Sequence, residues 1–65
     1  MSDIFIGQRY RRIGEHDRVW IVTGTVEDTK DHRPFAIMVS DDGEATQDVE
    51  FAHLEDPEMY EHLPV

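Results

Sequence analysis

Sixty-five residues with a formal net charge of -9 and no cysteine leave room for one small domain, which buries only about 60% of the surface its unfolded chain exposes. The missing cysteine excludes a disulfide staple, a thiolate nucleophile and a Cys-based zinc site. The acidity disfavours nucleic acid, whose affinity comes mainly from Lys and Arg neutralising phosphates, and makes a basic partner the better electrostatic match.

The charge is unevenly spread. Residues 1 to 20 carry four arginines against Asp3, Glu15 and Asp17, a net +1, while residues 21 to 65 carry Lys30 and Arg33 against twelve acids, a net -10. No apolar run approaches the roughly 20 residues of a membrane span, and the opening MSDIFIGQRYRR lacks the charged-then-apolar order of a signal peptide. The expectation is therefore a cytoplasmic, non-membrane protein forming a single domain over residues 1 to 65, with no internal repeat or linker.

The first apolar segment, residues 4 to 13, alternates: Ile4, Ile6 and Tyr10 share one parity, and Phe5, Arg9 and Arg11 the other. Period two predicts a half-buried strand with its arginines outward. After the polar IGEHD comes RVWIVTGTVED, residues 18 to 28, the most strand-like run in the chain. Trp20, Val22, Gly24 and Val26 share one face, and the other runs Val19, Ile21, Thr23, Thr25, Glu27, apolar at first and then polar. Glycine within a strand commonly marks a bulge or bend, so Gly24 is expected to let this strand leave the covered region, curve and serve two sheets.

A third segment, residues 34 to 41, is expected to turn Phe35, Ile37 and Val39 inward, with Ala36, Met38 and Ser40 on the other face. The Asp42-Gly43 pair favours a tight hairpin into EATQDVEF, residues 44 to 51, where Val49 and Phe51 alternate with Asp48 and Glu50. In the last stretch Asp56 followed by Pro57 reads as a helix start, with Met59 and Leu63 four apart on one helical turn. Together these predict an all-β fold: a small barrel or a strongly bent antiparallel sheet of four to five strands, with a short C-terminal helical turn.

The order GQRYRRIG, VWIVTGTV, PFAIMVSDDG, VEFAHLEDPEMY resembles a group of short uncharacterised bacterial proteins in which a Trp strand and a later L-x-D-P segment recur over most of the chain. In outline the sequence is also similar to SH3-like and Tudor-like small barrels. The first resemblance implies no activity, and the second implies a fold only.

Among the aromatics, Trp20, Phe35 and Phe51 are expected in the core. Tyr10 and Tyr60 are the better candidates for a ligand cage, since each can leave its hydroxyl in water while ring faces attract cations. The four histidines, at 16, 32, 53 and 62, lack the i, i+4 spacing of a helical metal clamp, so no metal site is expected. Asp41 and Asp42 point to opposite faces if they lie on a strand, and no serine sits in a nucleophile elbow. Neither a catalytic residue nor a cofactor site is predicted. Arg9 and Arg11 project from one face of the first segment, either as a partner site or as cross-strand partners of Asp48 or Glu50. The sequence thus suggests a non-enzymatic interaction module that uses a sheet edge, or the groove beside Tyr10 and Tyr60 with Arg9 and Arg11, to hold a protein partner or a second copy of itself. The alternative is a regulatory barrel for a cationic or metal ligand.

Overall fold

A computed structural model describes residues 4 to 64. Five antiparallel strands and one short helix follow in the order β1 (Arg9–Arg12), β2 (Trp20–Glu27), β3 (Pro34–Ser40), β4 (Thr46–Glu50), α1 (Phe51–Leu54) and β5 (Tyr60–Leu63). The strands form one sheet in the order β4-β3-β2-β1-β5. Among the described residues β4 and β5 are its two free edges, so the sheet is bent but does not close into a barrel.

The chemistry of β2 and β3 explains their central position. Both are rich in β-branched and large apolar residues, which suit a pleated surface with neighbours on either side. Trp20, Val22, Ala36 and Met38 are buried, and so are Tyr10, Val49, Leu54 and Tyr60. Burying a side chain the size of Val22 or Met38 contributes about 1.5–3 kcal/mol, and these few residues make up most of a thin core.

The inward face of β3 is the reverse of the expected one. Ala36, Met38 and Ser40 point into the core, and Phe35, Ile37 and Val39 are only half-buried on the outer side. The concave side is already filled by Trp20, Tyr10 and Tyr60, leaving room for small residues and for flexible methionine. Ser40 lies directly opposite Trp20, a small side chain beside the largest one. Its polarity is satisfied locally: the hydroxyl donates to Asp42 Oδ1 and accepts the Ala45 N–H at 3.0 Å.

Gly24 does mark a bulge. Val22 pairs with Met38 but Gly24 pairs with Ile37, leaving Thr23 as the extra residue, whose hydroxyl donates to the Ile37 carbonyl at 3.2 Å. One inserted residue exchanges the faces of everything beyond it. Trp20 and Val22 point inward, whereas Val26 lies opposite Phe35 on the outer side and is 46% exposed. The four residues expected to share a face are therefore split, and the strand bends within one sheet rather than serving two.

Three further boundaries depart from expectation. The first strand is only Arg9–Arg12, because residues 5 to 8 form a turn closed from Gln8 N–H to the Phe5 carbonyl at 3.2 Å, with Gly7 at φ +98°. The hairpin after β3 is a five-residue loop, 41 to 45, with Gly43 at φ +76°, wider than a two-residue Asp-Gly turn. The helical turn comes at Phe51–Leu54, before Asp56, and residues 60 to 63 form a strand. Asp56 does start a turn, accepting the Glu58 N–H at 2.9 Å, but it lasts one turn only. Backbone pairing of Arg9 with Leu63 through Arg12 with Tyr60 satisfies more polar groups than a second isolated helical turn.

Candidate functional site

An open groove of about 510 Å³ lies on the concave side of the sheet at its β1–β5 end. Tyr10 and His62 face each other across the two strands, and their rings stack at 5.0 Å between centroids and 23° between planes. Tyr60, two residues before His62 and therefore on the same face of β5, continues this floor. One wall is Leu54, Glu55 and Pro57, from the end of α1 and the turn after it. Ile4 and Phe5 form the other.

Gln8 ties rim to floor. Its side-chain Oε1 accepts the Phe5 N–H at 2.9 Å and the Tyr10 hydroxyl at 3.2 Å. The same segment is anchored to the sheet by Gly7 N–H to the Val22 carbonyl at 2.8 Å and Val22 N–H to the Gln8 carbonyl at 2.9 Å. Phe5 is thereby held at the groove mouth with 62% of its surface exposed, which is costly for a ring with nothing to cover.

The tyrosines do not stand free in water. Tyr10 is 4% exposed and Tyr60 6%, so each is core and groove floor at once. Burial raises the Tyr10 hydroxyl above its ordinary range, and the Glu55 carboxylate raises it further. Among the described residues Glu55 is the one carboxylate in the lining, and no Lys or Arg faces it there.

Arg9 and Arg11 belong elsewhere. Strand alternation places them on the outer face, away from Tyr10, so the four residues singled out from the sequence do not make one site. Arg11 pairs with Glu61 of β5 at 3.7 Å rather than with Asp48 or Glu50, because β4 lies three strands away. Glu50 instead receives Arg33 at 3.5 Å. Phe5, Glu55, Pro57 and His62 were not singled out as groove residues. The L-E-D-P segment carried Glu55 and Pro57, but His62 is recognisable only once β5 is paired with β1.

Among the described residues no group of three or more His, Asp or Glu side chains is arranged to hold a metal ion, and no helix is long and apolar enough to cross a membrane. The histidines are dispersed: His32 lies 3.9 Å from Glu27 and His53 3.7 Å from Glu50. Fold and groove define a small open β-sheet domain with an aromatic cleft. Comparison with protein families, with curated proteins and with solved structures finds no match.

Proposed function

We propose that this protein is a non-enzymatic interaction module that holds an extended segment of a protein partner in the groove beside Tyr10 and Tyr60. The observation that carries this reading is the exposed Phe5 side chain, whose backbone N–H is held by Gln8, at the mouth of a cleft in which Glu55 is the single carboxylate among the described residues. Apolar and aromatic walls with one oriented charge are the usual make-up of a peptide-binding groove. Glu55, in a chain of net charge -9, favours a segment with an apolar residue beside a Lys or Arg.

The test is selection of peptides from a displayed random library on the immobilised protein, followed by titration of the winners. Enrichment of basic-apolar sequences, weakened about tenfold or more by Phe5→Ala and by Glu55→Lys, supports the proposal, provided the thermal midpoint is nearly unchanged. Enrichment indifferent to both substitutions removes it. A cationic small ligand is the second reading, because four rings and the same carboxylate line the cleft. It predicts that organic cations, and not peptides, raise the melting temperature.

A further inference from the structure

The backbone of β5 is only half used. Hydrogen bonds in an antiparallel pair join directly opposite residues at every second position, and the Ile13 N–H donates to the Met59 carbonyl at 2.9 Å. Counting by two along the register of Arg9–Arg12 with Tyr60–Leu63, Glu61 and Leu63 are the residues of β5 that bond to β1. Tyr60 and His62 turn their backbone groups the other way, to the free edge of the sheet. The Tyr60 N–H is taken by the Asp56 carbonyl at 3.1 Å. That leaves the Tyr60 carbonyl, and both the N–H and the carbonyl of His62, aimed outward, and among the described residues nothing bonds them. The side chains of the same two residues line the groove, with Glu55 and Pro57 in the wall beside them.

We propose that the occupant of the groove adds to the sheet as a sixth strand, antiparallel to β5, with a Lys or Arg directly opposite His62. This rests on reading the groove as a peptide site. The residue opposite His62 exchanges both backbone bonds with it, and two residues further along the segment a second N–H meets the Tyr60 carbonyl. Antiparallel pairing is the arrangement of every pair already in the sheet. Directly opposed residues share a face, so the side chain opposite His62 enters the groove, where the carboxylate is Glu55. In strand addition the main-chain bonds give affinity and the alternate side chains give specificity. Charge decides what the occupant is. A second copy of this chain has two free edges to offer, β4 with Asp48 and Glu50 and β5 with Glu61, and neither carries a Lys or Arg. The cation comes from a different protein, on an extended segment that is not already paired in a sheet and has no proline opposite His62.

The probe is the acetylated, amidated heptapeptide Thr-Val-Thr-Lys-Thr-Val-Thr, whose second, fourth and sixth side chains share a face. With the protein saturated, the His62 amide should exchange with deuterium about tenfold or more slowly. Methylating the backbone nitrogen of the Lys deletes the donor to the His62 carbonyl and should weaken binding about tenfold or more. Methylating the backbone nitrogen of the next Thr, which points away from β5, should change affinity by less than about twofold. Equal affinities for the two methylated peptides, an unprotected His62 amide, or no binding at millimolar peptide overturns strand addition. The groove reading is decided separately by Phe5→Ala and Glu55→Lys: peptides that need both side chains yet ignore the methylation leave the groove standing and remove the added strand.

Discussion

Gln47 and Tyr60 join the two free edges of the sheet: Nε2 of Gln47 on β4 donates to the hydroxyl of Tyr60 on β5 at 3.2 Å. Where a closed barrel has a backbone ladder, this protein has a side-chain bridge. Each of Gln47→Ala and Tyr60→Phe should cost about 0.5–1.5 kcal/mol in urea unfolding. In a double-mutant cycle the two losses should be less than additive, and amide exchange in β5 should quicken in both variants. Strict additivity would show that the two side chains act separately.

The reversed face of β3 sets two neighbouring positions apart. Met38→Ala removes a fully buried side chain and should cost about 2–5 kcal/mol, a large share of the roughly 3–10 kcal/mol available to a domain of this length. Val39→Thr, one residue on and facing out, should change stability by less than about 1 kcal/mol. Equal losses in denaturant melts would contradict the assigned faces.

Gly24 occupies a bulge that it is not required to make. Its φ is not in the left-handed region, and an added Cβ would meet only Ile37 Cδ1, at the ordinary distance of 3.7 Å. Gly24→Ala should therefore be tolerated to within about 0.5 kcal/mol. A loss of several kcal/mol in thermal unfolding would show that the strand needs glycine itself.

Tyr10 makes stability fall at high pH. Burial, aided by Glu55, raises its folded pKa above the model-peptide value of 10.0, so the neutral phenol is the favoured folded form. Its contribution is complete below about pH 10 and is lost as pH climbs from there through the raised folded value. Denaturation midpoints at pH 9 to 12 should decline more steeply for the wild type than for Tyr10→Phe; matching slopes would place the effect elsewhere.

Asp42 gives the opposite dependence at low pH. The Ser40 hydroxyl, the Glu44 N–H and Arg18 lower its pKa below the ordinary carboxylate value. The loop between β3 and β4 should hold above that value and loosen as pH falls through the depressed one. Ser40→Ala should cost about 1–3 kcal/mol, because the Ala45 N–H loses its acceptor inside the fold, and should flatten the acid response. An unchanged acid titration of the loop amides would rule out this role.

Strand content, the β3–β4 hairpin and the irregularity at Gly24 were legible in the sequence, since alternation, turn residues and a misplaced glycine are local signals. Which face each strand buries was not. A single inserted residue, Thr23, exchanges the sides of β2, and the crowding that forces Ala36, Met38 and Ser40 inward arises only when Trp20, Tyr10 and Tyr60 meet. The candidate site was half legible: Tyr10 and Tyr60 do lie in one groove, but Arg9 and Arg11 lie on the other face. Phe5 and His62 acquire their places through a turn and a long-range pairing.

What the sequence determined by itself is a small, acidic, cysteine-free β domain, because composition and period two act residue by residue. The tertiary structure alone decided that the last segment is a strand and not a helix. The pairing of β5 with β1 offers residues 60 to 63 hydrogen-bond partners from the far end of the chain, which no short window of sequence contains. That same pairing stacks His62 on Tyr10 and builds the groove.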